Sequence, residues 1–520
     1  MKLRNDQIPE VLGALAIVAD VGVGVPHEIG IGSAILAARI SRRLELNQED
    51  SVAAFFASLL RYTGCSVAIP ETVNLTLGDV HGYQRALALA DIGDATDMRT
   101  WLEREMAPDA TPESRTDALD MLDGIHANAE VMTSVTQSHC DLACQLADDV
   151  GMPARVSEAL KEIYERYDGR GLPSGIDGSN LSIAACIMHV TTAFELQRRK
   201  MGLEWAVAQV QARCGGQFSP EVCNAVLSDP SGLVANMDAP TLMDLYLEEA
   251  PEYDPTEGLS LVEVARACAI NVDHRSTFTL GHSSAVADLV VKAAECAELS
   301  ESNQETLRIA AYLHDVGKVG LPASLLDKAG PLSRAEQTQL ERHTYLTDSI
   351  LRATSAFEPY ARLASSSHER ADGSGYHRQL TSPDFPTQLL AACEAYCTLR
   401  EDRPGRTALS VEQASETMLE ESKLGKWDPM VIRAVLHAES GHRASLDALP
   451  SGLSKRETEV VVHMARGLSN KEIAAALFIS PKTVEHHVGH IYDKIGTRTR
   501  ASAALFAAKH GLSSRLYNAK

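Results

Sequence analysis

The segment LSKRETEVVVHMARGLSNKEIAAALFISPKTVEHHVGHIYDKIGTRTRA, residues 453–501, decides how the C-terminal end folds. Ser454 with Glu457 forms a capping box: the hydroxyl accepts from the amide three residues on, and the carboxylate reaches back. The helix this opens runs to Arg466 and stops at Gly467, a residue suited to left-handed backbone. Asn470 caps a second helix over residues 471–477, and Phe478-Ile479 makes a tight turn. Ser480 caps a third helix whose first position is Pro481, where no amide hydrogen is needed. Val484, Val488, Ile491 and Ile495 form its core stripe. Lys482, Glu485, His486, Gly489 and His490 fall on the opposite face. Gly496 ends the helix, and Arg498 and Arg500 follow.

Two short helices joined by a tight turn, the second with a polar outer face, suit reading of a major groove. Lys482, Arg498 and Arg500 near the helix ends are placed to hold phosphates, and Thr483 is a further DNA-binding candidate. A small helical interaction domain with solvated charges is the alternative. Charge distribution favours nucleic acid. The whole 520-residue chain is formally −22, yet residues 451–520 hold 11 basic and 5 acidic side chains, a local +6 against −28 elsewhere. Double-stranded DNA therefore meets only this end of the molecule.

Working outward, helical periodicity dominates, as in residues 34–44, 156–167, 283–296, 335–353 and 431–437, and alternating strand-like runs are scarce. The fold class is all-α. No apolar run reaches membrane-spanning length, and residues 1–10 carry no secretory signal, so a cytoplasmic protein without membrane contact is expected. Residues 11–25 read as a buried helix end followed by a turn. The ten cysteines include no Cys-x-x-Cys pair and read as small buried residues in a reducing compartment. An acidic, Pro-containing stretch (236–258) and a Gly/Ser/Pro-rich one (440–452) suit linkers. They divide the chain into 1–235, 259–440 and 452–520.

The first two blocks read as distant repeats. Tyr167-Asp168-Gly169-Arg170-Gly171 parallels Ala371-Asp372-Gly373-Ser374-Gly375, and the helix end before Arg61-Tyr62 parallels that before His314-Asp315. Chance likeness of Gly-rich turns is the alternative. His314-Asp315 closes an apolar helix, and adjacent His and Asp can both ligate one metal, or the Asp can bridge two. His282, His343, His368 and Glu394 are further candidates.

The C-terminal segment resembles the LuxR/FixJ-type helix-turn-helix, through Leu453-Ser454-x-Arg456-Glu457, Gly467-Leu468-Ser469-Asn470-Lys471-Glu472-Ile473-Ala474, Ile479-Ser480-x-x-Thr483-Val484 and Lys494-Ile495-Gly496. The resemblance implies a four-helix DNA-binding domain acting as a homodimer, with base-facing positions at Glu485, His486 and Gly489. The middle block resembles HD-superfamily phosphohydrolases of the HD-GYP kind, through Gly281-His282-Ser283, His314-Asp315-x-Gly317-Lys318, His343, His368-Glu369-Arg370-x-Asp372-Gly373-Ser374-Gly375-Tyr376 and Asp402-Arg403-Pro404. That resemblance implies a one- to three-metal centre acting on phosphate esters such as cyclic di-GMP, and one or two divalent ions, iron or manganese ahead of zinc, are expected in this chain. Its ligands would be His282, His314, Asp315, His343, His368 and Glu394, with Asp315 and Lys318 in catalysis. Three positions depart from the family: Ser367 precedes His368 where a histidine pair is usual, Glu394 replaces an aspartate, and His377 replaces a proline. These favour a single metal on His282, His314, Asp315 and Glu394 over a fuller centre. A metal-free fold that binds a ligand or partner is the alternative. The first block resembles a degenerate HD-type domain, with His27 and His139 as structural or surface groups. The reading that follows is a transcriptional regulator whose HD-type domains sense a metal, a nucleotide or another small ligand. Its rival is a metal-dependent phosphodiesterase with an attached DNA-binding module.

Overall fold

The computed structural model describes residues 7–65, 76–77, 79–253, 260–441, 450–509 and 512. Every regular element among them is a helix; only isolated β-bridges interrupt the pattern, as the all-α reading requires. None of these helices is long and apolar enough to cross a membrane. The chain forms two units, Met1–Val264 and Ala265–Lys520. The helices that matter in the first are α1 (Ile8–Val23), α2 (Ile29–Arg43), α3 (Gln48–Leu60), α4 (Ala129–Asp149), α5 (Ala154–Lys161), α6 (Ile183–Met201) and α7 (Met243–Glu249). Next come α8 (Leu261–Asp273), α9 (His282–Cys296), α10 (Glu301–Leu313), α11 (Arg334–Arg352) and α12 (Phe385–Leu399). The C-terminal module holds α13 (Lys455–Ala465), α14 (Asn470–Ala476), α15 (Pro481–Ile495) and α16 (Arg500–Lys509).

The repeat foreseen from two motifs extends through both units. In each, a buried aspartate reaches the first turn of the next helix. Asp20 accepts from the Gly30 amide at 3.0 Å; Asp273 accepts from the Ser283 amide at 2.9 Å and its hydroxyl at 2.7 Å. The residue before α2 (Glu28) and the residue before α9 (Gly281) both take left-handed backbone. Glu165 accepts from the amides of Ser174 and Ile176, and Glu369 from those of Arg378 and Leu380, with identical spacing. The bridges Asp168↔Asp177 and Asp372↔Thr381 close the corresponding turns. In the first unit α3 packs between α2 and α6; in the second, α9 packs on α10 and α12. A glycine is required at one equivalent place in each. A Cβ on Gly317 would lie 1.9 Å from the His343 carbonyl oxygen, and one on Gly64 would lie 2.2 Å from that of His139.

Three expectations need correction. Residues 236–258 are not simply a linker, because α7 lies within them. Tyr246 is fully buried and stacks on Phe55 at 5.2 Å, and Glu249 pairs with Arg39 and Arg42. Glu249 answers basic residues of α2, while Asp244, Glu248 and Glu252 of the same stretch are exposed. The helix expected over 156–167 ends at Lys161, because Glu162 turns to accept from Ser182 and Glu165 turns to hold the 174–176 loop. In the C-terminal module the second cap is Ser469, not Asn470, since Glu472 sits three residues after Ser469 and completes a capping box with it. Residues 442–449 of the second expected linker lie outside the described residues. Elsewhere the reading holds: α1 is buried and ends at Gly24, Ser454 and Ser480 cap as expected, and Gly467 and Gly496 take positive φ. Eight of the ten cysteines are buried, and all are free.

Candidate metal centre and DNA-binding face

His282 opens α9, and His314-Asp315 follow directly on α10. His343 lies midway along α11, and His368 stands before the turn closed by Asp372↔Thr381. The contact at Gly317 locks these elements together, with Thr347 accepting from the Gly317 amide and donating to the His314 carbonyl. Two groups of potential ligands result, His282/His314/Asp315 and Asp315/His343/His368, sharing one carboxylate. Nε2 of His314 is 3.4 Å and that of His282 3.9 Å from Asp315 Oδ2, while Nε2 of His343 is 3.5 Å from Oδ1.

The hydrogen bonds show what these atoms are free to do. His314 Nδ1 donates to the Ala311 carbonyl at 2.7 Å, His343 Nδ1 to Leu340 at 2.6 Å, and His282 Nδ1 to Glu401 at 2.9 Å. Each anchored Nδ1 leaves an Nε2 lone pair pointing inward, the usual second shell of a metal-bound imidazole. Nε2 of His282, His314, His343 and His368, and Oδ1 of Asp315, are buried without a hydrogen-bond partner. Orphaned buried acceptors on one point are costly unless something fills them, so the donor set fits a divalent cation. Burial pushes His343 down to about 3 and His368 well below its ordinary value, and His314 down too. Burial would lower His282 as well, but Glu401 outweighs it and holds that imidazole up. Burial would raise Asp315, yet His314, Lys318 and His343 hold its carboxyl well below the usual range.

Of the predicted ligands, five converge. Glu394 is buried beside His368, 3.6 Å from its Nδ1, and outside both groups, with Oε1 accepting from Thr398. Of the expected single-metal set, His282, His314 and Asp315 thus lie together, while Glu394 lies outside both trios. Lys318, expected to meet phosphate, holds Asp315 Oδ2 at 2.5 Å. His377 hydrogen-bonds Thr344 at 3.0 Å and stays out of the cluster. Sequence reasoning missed Glu401, which a tertiary contact alone reveals, and gave no role to Tyr376 of the matching motif, whose ring stacks on His368 at 4.8 Å.

In the first unit the same fold carries other chemistry. The shared cap, glycine and glutamate contacts place Ile29, Arg61, Tyr62, His139 and Tyr164 where the second has His282, His314, Asp315, His343 and His368, and the N-caps Ser182 and Asp384 of the following helices place Thr192 where it has Glu394. His27 is exposed and occupies no ligand position; His139 is buried.

On α15, Lys482, Thr483, Glu485, His486, Gly489 and His490 are all exposed, and Arg498 beyond it is exposed too. Val484 and Ile491 are buried in the core with Val460, Ile473 and Ala503, as the stripe requires. Arg500 corrects the expectation of a phosphate contact. Its guanidinium turns inward to the Leu468 carbonyl and reaches Asn470 Oδ1 at 3.5 Å, bracing α16 against the start of α14.

A histidine–aspartate cluster on an all-helical unit that occurs twice, followed by a capped helix-turn-helix, defines a tandem HD-type protein with a DNA-binding module. The chain belongs to the HD domain family, which matches residues 126–222 and 268–431, and its residues 451–507 match the bacterial regulatory proteins of the luxR family. Among relatives, the 3'3'-cGAMP-specific phosphodiesterase 3 of Vibrio cholerae is 26% identical over 84% of this chain and 96% of its own length. The cyclic di-GMP phosphodiesterase of Thermotoga maritima is 31% identical over 34% of this chain and 50% of its own. A transcriptional regulatory protein of Bacillus subtilis is 50% identical over 12% of this chain and 30% of its own. A crystal structure of a V. cholerae cyclic GMP-AMP-specific phosphodiesterase shares the fold, with a TM-score of 0.54 over 86% of this chain and 99% of that one at 23% identity.

Proposed function

We propose that this chain is a cytoplasmic transcriptional regulator that binds double-stranded DNA as a homodimer. Its second HD-type domain takes up divalent metal, iron or manganese, together with a nucleotide or other phosphoester ligand, and reports occupancy to the helix-turn-helix. One observation carries this reading. A short polar path runs from the cluster to the DNA-binding module: His282 donates to Glu401, and the adjacent Asp402 accepts from Arg466 on α13's C-terminal turn at 3.2 Å. Leu280, two residues before His282, packs into the module's own core, and Phe278, Leu280, Glu401, Asp402, Arg466 and Leu468 line a cavity of about 230 Å³ there. The Arg466–Asp402 pair is partly exposed, so it contributes at most about 1 kcal/mol, roughly fivefold in an equilibrium. That suits a contact that must be made and broken. A ligand shifts DNA affinity only if it binds the two arrangements differently.

A bound divalent metal would supply Lewis acidity and an activated water at this point. The chain's residues would orient it: Asp315 from the centre, and Glu401 by holding the His282 ring. The test measures DNA affinity of the full chain with manganese, with chelator, and in Asp402→Asn. The reading expects a metal-dependent change of several-fold that Asp402→Asn removes; equal affinity in all three conditions overturns it.

The second reading is a phosphodiesterase that its DNA-binding module localises. The names of its relatives favour it, as does the survival of both ligand trios. Multiple-turnover hydrolysis of cyclic di-GMP or 3'3'-cGAMP by iron- or manganese-loaded protein, lost in Asp315→Asn, would establish it.

A further inference from the structure

Where the second unit gathers its ligand trios, the first unit has a cavity of about 40 Å³ whose wall includes Arg61, in the position of His314. The guanidinium lies 5.1 Å from the ring centroids of both Tyr62 and Tyr164. Among the described residues it meets no carboxylate; Nη1 donates to Cys65 Sγ at 3.7 Å, and although burial would raise that thiol, His139 and Arg61 hold it below its ordinary value. The other charged groups of the wall are already engaged. Glu165 holds the amides of Ser174 and Ile176, and Arg166 is paired with Asp91 and Asp168. His189 donates Nε2–H to the Glu162 carbonyl, and burial pushes it down to about 4, so it is neutral. Leu87, Ile92, Ile163 and Ala193 supply apolar wall. Among the described residues, Arg61 is thus the one permanent cation of the wall without a carboxylate, and a thiol takes only one of its five N–H donors.

We propose that this cavity binds the phosphate group of a small phosphoester, with Arg61 supplying the positive charge that a metal would supply in the second unit. A planar guanidinium matches phosphate in bidentate fashion. One water needs about 10–15 Å³ by this measure, so the space takes a phosphate-sized head group and leaves the rest of the ligand outside. Tyr62, Tyr164 and Thr192 offer no carboxylate or imidazole at three of the ligand positions, so the group is held and not hydrolysed. The first unit is then a phosphoester-binding domain, independent of any metal in the second.

The test uses the full chain in chelator, titrated by calorimetry with inorganic phosphate, with GMP and with cyclic di-GMP, and with guanosine as the uncharged control. Binding of a phosphate-bearing ligand, at least tenfold weaker in Arg61→Gln and unchanged in His314→Ala, supports the proposal. Preference for GMP over inorganic phosphate would identify an ester as the ligand, and the reverse order would reduce the site to a free-phosphate site and overturn the ester assignment. Cys65→Ser should leave binding intact or tighten it, since a thiolate there would compete with the ligand. Should Arg61→Gln not fold, arginine-directed labelling of the wild type decides: phosphate ligand must slow modification of Arg61. Equal affinity in Arg61→Gln, no phosphate-bearing ligand bound, or unprotected Arg61 would each overturn the proposal.

Discussion

Replacing Gly317 with alanine tests the architecture that assembles the metal cluster. The new Cβ would stand 1.9 Å from the His343 carbonyl oxygen and 2.6 Å from the Thr347 amide nitrogen. Ordinary contact begins near 3.4 Å, so the gap is about 1.5 Å too small, and both obstacles are backbone of α11 that cannot rotate away. Overpacking of this kind costs typically about 1–3 kcal/mol, and an immovable neighbour puts this case at the upper end. For a domain of 150–250 residues that corresponds to roughly 6–12 °C in melting temperature. Retreat of α11 would also carry His343 away from Asp315, now 3.5 Å distant. The assay is scanning calorimetry of the full chain, with metal content by elemental analysis. Gly64→Ala, whose Cβ would lie 2.2 Å from the His139 carbonyl oxygen, should lower the transition of the first unit in the same way and leave metal content alone. Gly124 is the control, because a Cβ there meets nothing within 4 Å and α-helical alanine outperforms glycine by about 1 kcal/mol. If Gly317→Ala melts within 2 °C (about 0.5–1 kcal/mol) of wild type with full metal content, the packing argument is wrong.

Three further outcomes are expected. Elemental analysis of manganese- or iron-reconstituted protein should show two ions per chain, one fewer in His282→Ala or His343→Ala, and none in Asp315→Ala; equal loss in all three variants would refute two sites joined at one carboxylate. Asp20 is fully buried, and desolvation pushes its carboxyl up to about 8 although the Gly30 and Ile29 amides oppose this. The folded state therefore holds a proton that the unfolded chain releases near pH 4, so stability of the first unit falls as pH rises from about 4 to about 8 and levels off above; Asp20→Asn should flatten that slope in pH-dependent melting, and an unchanged slope would exclude Asp20 as its source. Lys482→Ala should weaken binding to all DNA sequences and reduce the salt slope by about 1, while Arg500→Ala should lower the melting temperature of the module; the reverse pattern in salt titrations and melting curves would return Arg500 to the DNA surface.

How much was legible in the sequence follows from the range of the interactions involved. The C-terminal module was readable nearly residue by residue because caps, glycine stops and the stripe of α15 act within one helical turn. Of the two slips there, Asn470 for Ser469 came from two adjacent residues that both cap well, with Glu472 at the third position after Ser469 deciding between them, and Arg500 turned inward through a tertiary contact. The trios were half legible. His314-Asp315 is contiguous, but whether His282, His343 and His368 reach Asp315 depends on how α9, α10 and α11 pack, and Glu401 enters only through a contact 119 residues away in sequence. Composition misled where charge had a tertiary purpose: the acids before residue 258 read as solvated linker, yet Glu249 is counter-charge to Arg39 and Arg42. The same limit explains Arg61. In sequence it marks only a lost His-Asp pair; in the fold it is a half-buried cation between two tyrosine rings that meets a thiol and, among the described residues, no carboxylate. A domain that had merely lost its metal chemistry would accept an apolar side chain there, whereas a half-buried guanidinium on the wall of a small cavity is what a phosphate-bearing ligand would use.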